Sequence, residues 1–208
     1  MANALIAFVV QVVLISLSGV MAPGPITAAT LAAGTRSRHA GSLIAIGHGL
    51  VELPLMLLVV AGAGTLLASK AVTTVVGLIG GAVLVLMGAT LLRSLGKPGG
   101  VTKTLGSKGP IWTGVILTCG NPCLLLWWLT VGLNLTTRAL QIGAVALGLL
   151  VVVHWFCDLV WLEALSFTSF KGTRLLGDRV QKVVLGVCSI ALVGLGVYFV
   201  ADAIVRFR

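Results

Sequence analysis

Residues 42–67 read SLIAIGHGLVELPLMLLVVAGAGTLL, an apolar stretch in which Glu52 is the only charged residue. About 20 residues of helix cross the hydrocarbon of a bilayer, so this run predicts a membrane span. It also carries a polar interruption: His48 and Glu52 stand four apart, which places them on one helix face. A second pair with the same spacing, His154 and Asp158, interrupts another apolar run. Ionisable groups inside a bilayer are costly and mark substrate, ion or proton paths.

Five further runs, at roughly 4–22, 71–92, 111–133, 139–163 and 183–205, predict five more spans. Composition agrees, with 58% hydrophobic residues, 9% charged residues and a mean hydropathy of +1.15, outside the range of soluble domains. No Lys or Arg precedes residue 36, so the first run lacks the positive flank of a secretory signal and reads as a retained helix. The polar stretches at about 93–110 and 166–182 are too short to enclose a core. An enzyme domain has no room, and function belongs between the helices.

Arg36, Arg38, Arg93, Lys97, Lys103, Lys108, Lys171, Arg174, Arg179 and Lys182 fall in the first, third and fifth loops, whereas the second and fourth hold only Lys70 and Arg138. The positive-inside rule makes the odd loops cytoplasmic and both termini external, with Arg206 and Arg208 opposing this weakly at the C-terminal end. The net charge of +9 is then loop bias and requires no nucleic acid. Cys119, Cys123, Cys157 and Cys188 contain no CxxC and read as small packing residues.

The two halves of the chain correspond. Ala22-Pro23-Gly24-Pro25 interrupts the first span and Cys119-Gly120-Asn121-Pro122-Cys123 the fourth, with Pro23 and Pro122 99 residues apart and His48 and His154 106 apart. Three spans per half make the second half insert upside down, the plan of many secondary transporters. The expected fold is therefore an all-α integral membrane protein of six transmembrane helices, arranged as two inverted three-helix repeats with Pro-broken helices. Repeat one covers about 1–95, repeat two about 110–208, and a basic cytoplasmic linker about 93–110 joins them within one transmembrane domain.

Pro25 suits the first position of a helix running through Thr27 to Thr30, whose free N–H groups favour an anion such as a carboxylate. Asn121 and Pro122 offer the matching element. Each proline taken alone also fits a simple kink, which membrane helices tolerate. Histidine titrates near neutral pH, so His48 with Glu52, and His154 with Asp158, are candidates for proton coupling. Glu163 falls near the cytoplasmic end of its span and reads as solvated. Trp127 and Trp128 could line a cavity, but Trp also anchors helices near interfaces, and the anchor reading is slightly favoured for each. Gly41, Gly47, Gly49, Gly77, Gly80, Gly81 and Gly88 suggest close helix contacts.

The chain resembles the lysine exporter superfamily, in particular the LysE/RhtB amino-acid exporters. The resemblance rests on Pro23-Gly24-Pro25 followed by small residues, Gly34, the basic loop Arg36 to His39, Gly41, Ala45-Ile46-Gly47 and Asn121-Pro122, with an acid about where Glu52 stands. It implies a multi-pass efflux carrier of the inner membrane, exporting amino acids by proton exchange, with a homodimer as a compatible assembly. Cys123 stands where those exporters often carry Lys, and the paired His and acid residues are not a feature associated with them.

Two transport chemistries stay open. In one, an amino acid places its carboxylate near Pro23, Gly24, Pro25, Thr27, Asn121 and Pro122 and its ammonium on Glu52 or Asp158, with no cofactor. In the other, His48, Glu52, His154 and Asp158 hold a divalent transition metal as cargo, since imidazole and carboxylate suit such ions. A structural membrane subunit is a third reading, which fits the symmetric polar pairs poorly.

Overall fold

The computed structural model describes residues 2–22, 24–63, 69–95, 109–175 and 177–207. Among these residues the chain is helical apart from short connections and has no strand, as its apolar runs require where no water is available to the backbone. The helices are α1 (Ala2–Val20), α2 (Pro25–Gly34), α3 (Ala40–Leu58), α4 (Lys70–Ser94), α5 (Pro110–Cys119), α6 (Pro122–Trp127), α7 (Leu133–Ile142), α8 (Ala144–Leu175) and α9 (Gly177–Phe207). A π-helical turn, Val59–Ala63, extends α3, and another, Trp128–Gly132, joins α6 to α7.

Five stretches are long and apolar enough to cross a membrane: Asn3–Val20, Ala40–Gly62, Lys70–Thr90, Cys123–Ile142 and Ala144–Gly172. The span expected at 111–133 is divided at its Asn121-Pro122 interruption, where Gly120 closes α5 and Asn121 caps α6 through a bond from the Cys123 N–H to Asn121 Oδ1 (3.1 Å). Pro122 then occupies the first turn of the new helix, where its missing N–H costs nothing. The long apolar helix of this region consequently starts ten or so residues later than the sequence suggested. The expected boundary at 139 moves as well. Gly143 separates α7 from α8 at φ 131°, a conformation that favours glycine. The last apolar run, Ser189–Val205, is shorter than the five spans.

Glycine contacts set how the helices pack. A Cβ on Gly81 would lie 2.8 Å from the Gly196 carbonyl oxygen, and one on Gly196 would lie 2.6 Å from that of Gly81, which seats α4 and α9 backbone against backbone. Gly88 repeats the contact at Ser189 (2.8 Å). A Cβ on Gly47 would overlap the Ile111 carbonyl and one on Gly114 that of Ile44, joining α3 to α5, while Gly41 meets the Leu162 carbonyl of α8. Lipid tails give helices no hydrophobic reason to associate, so close backbone approach supplies the van der Waals contact instead. Large apolar side chains such as Ile6, Leu14, Leu57, Leu86 and Val205 point outward and are more than half exposed, as a lipid-facing surface requires.

α3 packs on α5 and α8, α1 on α8, and α4 along α9. The corner between α2 and α3 is bound to the C-terminal half of α8, where Ser166 Oγ donates to the Arg38 carbonyl (2.7 Å) and Ser169 Oγ to that of Leu31 (2.7 Å). The basic residues of the first loop and Lys171 of α8 therefore share one end of the bundle. Lys97, Lys103 and Lys108 of the expected linker lie outside the described residues.

Gly41→Ala is expected to destabilise the fold by about 1–3 kcal/mol, the range for overpacking a close contact. Gly148→Ala, whose Cβ meets nothing within 4 Å, should leave the thermal midpoint unchanged or higher. Melting both variants in detergent checks this pair.

Candidate functional site: a buried histidine and carboxylate cluster

His48 and Glu52 lie one turn apart on α3, and His154 and Asp158 one turn apart on α8. Where α3 and α8 pack together the two pairs merge into one cluster, with side chains only 7%, 2%, 4% and 6% exposed respectively. His48 Nε2 lies 3.3 Å from Glu52 Oε2 and 4.0 Å from Asp158 Oδ1. His154 Nε2 lies 3.2 Å from Glu52 Oε1 and 3.6 Å from Asp158 Oδ2. Each histidine thus faces both carboxylates. The ligand atoms of His48, Glu52 and Asp158 all fall within 4.8 Å of one another.

The other helices hold these side chains in place. His48 Nδ1 meets Thr118 Oγ1 of α5 at 2.8 Å, and His154 Nδ1 meets Ser16 Oγ of α1 at 2.8 Å. Trp128 Nε1 donates to Glu52 Oε1 (3.0 Å). The Trp127 ring stacks on His154 with centroids 5.0 Å apart, and Trp128 meets the same ring edge-on at 5.1 Å. Glu52 Oε2 and Asp158 Oδ2 accept no hydrogen bond from the described residues, and each lies within 3.6 Å of a histidine Nε2.

Two expectations are corrected here. Trp128 is completely buried and bonded to Glu52, and Trp127 lines the cavity beside the cluster; neither is an interface anchor. The π turn starting at Trp128 and the absence of a side chain on Gly132, over which the Trp128 ring lies, turn these rings inward. Glu163 is likewise not free in solvent. Its Oε1 takes a bond from His39 Nδ1 (2.6 Å), and its Oε2 accepts from the Ser42 N–H (3.1 Å) and hydroxyl (2.7 Å). Ser16 and Thr118 gave no signal in the sequence, because Ser and Thr are common in membrane helices, where they bond backward to their own helix.

The cluster forms part of the lining of a cavity of about 440 Å³. Gly24, Pro25, Ile26 and Thr27 border it, together with Asn121 and Cys123. Gly24 is extended and has no side chain to cap α2, so the first N–H groups of that helix have no capping partner from it. The Thr27 hydroxyl donates back to the Ala22 carbonyl (3.2 Å). Asn121 uses its side-chain oxygen as the cap of α6, which leaves its NH₂ as the donor. Pro23 and the Pro122 side chain lie outside the described residues. Cys119, Cys123 and Cys157 are free thiols; Cys157 is buried as a packing residue would be, whereas Cys123 is half-buried and Cys119 exposed, and the Cys188 side chain lies outside the described residues.

A family model for LysE type translocators matches residues 17–203, most of the chain. The chain belongs to the LysE type translocator family. Among curated proteins and among solved structures no match was found. This LysE type translocator is a multi-pass membrane transporter of the exporter kind, with a small-molecule substrate and the lipid bilayer as its surroundings. Its family is one of transporters.

Trp128→Phe retains an aromatic ring and removes the donor to Glu52. The loss of one bond to a buried carboxylate is expected to cost about 1–3 kcal/mol, read as a lower thermal midpoint of the purified protein.

Proposed function

We propose that this translocator exports amino acids across the cytoplasmic membrane by proton exchange, with His48, Glu52, His154 and Asp158 as the exchange site. The observation that carries this reading is a single cavity bordered by two kinds of polar wall: the uncapped N-terminus of α2 and the carboxylates of the cluster. A helix N-terminus favours a carboxylate and the acids favour an ammonium group, so a zwitterion could span the cavity. The volume of about 440 Å³ suits such a solute.

Charge supplies the coupling. With both histidines neutral and both acids ionised the cluster carries two negative charges, and it attracts a cationic group; each proton it takes weakens that attraction. Protons and cargo therefore compete for one site, which is what exchange demands. Alternating access would follow from two inverted three-helix repeats. Supporting this, α1 packs on α8 as α5 packs on α3, and α4 pairs with α9, the exchange of partners that a two-fold relation between halves produces. Basic loops at the end shared by Arg36, Arg38 and Lys171 make that end cytoplasmic under the positive-inside rule.

A second cargo, a divalent transition metal, is favoured by one observation. Four ligands at 2.0–2.2 Å around a tetrahedral ion stand about 3.3–3.6 Å from one another, and the four His-to-carboxylate separations here run from 3.2 to 4.0 Å. Those separations use both oxygens of each carboxylate; with one atom per residue, His48, Glu52 and Asp158 form a set within 4.8 Å of one another, so modest side-chain shifts would place three donors on one ion.

Proteoliposomes preloaded with labelled amino acids, or with Zn²⁺, and given a proton gradient distinguish the cargoes. Amino-acid release that follows the gradient and is lost in Glu52→Gln and Asp158→Asn is the expected result. Zn²⁺ release without amino-acid release would move the assignment to the metal, and release of either cargo that ignores both substitutions would remove the cluster from transport.

A further inference from the structure

The two histidines of the cluster are not equivalent, and the difference lies in one hydrogen. The Thr118 hydroxyl donates to the Gly114 carbonyl one turn back on α5, at 2.6 Å. A hydroxyl has a single hydrogen, so toward His48 Nδ1, 2.8 Å away, Thr118 Oγ1 can only accept. His48 must therefore carry its hydrogen on Nδ1 when neutral, and it keeps that hydrogen when charged. Its Nε2 is left as the ring atom without a fixed hydrogen, 3.3 Å from Glu52 Oε2 and 4.0 Å from Asp158 Oδ1.

His154 is held the other way round. With Glu52 ionised, its Nε2 must donate to Glu52 Oε1 at 3.2 Å, so the neutral ring carries its hydrogen on Nε2 and the Ser16 hydroxyl, 2.8 Å from Nδ1, gives its own hydrogen there. The two ring nitrogens of a histidine are distinct, and the bond made by one selects the work of the other. Thr118 is buried, at 2% exposure, so water does not compete for that bond.

We propose that Thr118 is a positioning residue that fixes His48 in the Nδ1–H form, so that His48 Nε2 is the atom at which the cluster exchanges a proton or a cation. This deepens the proposed function and rests on the cluster being the exchange site, whichever cargo is carried. Thr118 sits on α5 whereas His48 sits on α3, so a shift of α5 against α3 during transport would free Nδ1 and with it the choice of tautomer. The orienting bond thus ties the chemistry of the site to helix position. Partners that orient a histidine in this way typically change affinity or activity by about 10- to 100-fold when removed.

The test is the ¹⁵N spectrum of the full-length protein labelled on histidine, in nanodiscs. The chain has three histidines, and the His48 signals are those absent from His48→Gln. At a pH alkaline enough for the His48 ring to be neutral, the wild type is expected to show a single His48 tautomer with the hydrogen on Nδ1. A wild-type spectrum with the hydrogen on Nε2 overturns the proposal without recourse to any variant. Thr118→Val, equal in size and unable to accept, should mix the tautomers and lower export by about 10- to 100-fold, and Thr118→Ser should restore both. Unchanged tautomers in Thr118→Val, or mixed tautomers with normal export, would sink it. Normal export by His48→Gln, by contrast, would remove the exchange role while leaving the tautomer assignment standing, so the two failures are told apart.

Discussion

Two carboxylates buried between membrane helices are the constraint on which the rest of the site depends. A buried charge without a partner destabilises a protein severely, and removing one member of a buried pair typically costs about 3–5 kcal/mol. Glu52 meets this constraint with contacts from three elements: His48 on its own helix, His154 on α8 and Trp128 at the π turn. Asp158 has the two histidines. Because the partners come from different helices, satisfying the acids also fixes how α3, α8 and the Trp127-Trp128 segment sit together.

Such an arrangement needs backbones that come close. Gly41 lets α3 lie against the Leu162 carbonyl of α8, four residues beyond Asp158 in the sequence, and Gly47 with Gly114 lets α5 lie against α3 beside His48. The same glycines that allow van der Waals contact in place of a hydrophobic drive bring Thr118 within reach of His48. Packing and chemistry are therefore one problem in this protein. A side chain larger than glycine at these crossings would separate the helices that supply the site.

The cluster and its cavity also explain why the chain breaks its helices where it does. Gly24-Pro25 and Asn121-Pro122 each start a helix beside the cavity, and broken backbone at membrane depth persists only where protein or a cavity surrounds it. The first break leaves N–H groups without a side-chain cap. The second is capped by Asn121 itself, so the two breaks, similar in sequence, present different chemistry to the cavity.

Much of this was legible in the residues. Apolar runs, the i,i+4 polar pairs, the proline breaks and the glycines of the crossings are local signals, since helix periodicity assigns residues four apart to one face. Local signals do not carry depth or crossing angle. The merging of His48 and Glu52 with His154 and Asp158, the hydroxyls of Ser16 and Thr118, the inward turn of Trp127 and Trp128 and the capture of Glu163 by His39 and Ser42 all depend on which turn of one helix meets which turn of another. The span boundary near 143 shifted for a different reason: a glycine conformation at Gly143 overrode continuous hydropathy. By itself the sequence determined a membrane-embedded helical chain with paired ionisable groups, because transfer energies and periodicity are additive along the chain. Only the tertiary structure decided that those groups form one site, because contacts between helices are set by close packing in three dimensions.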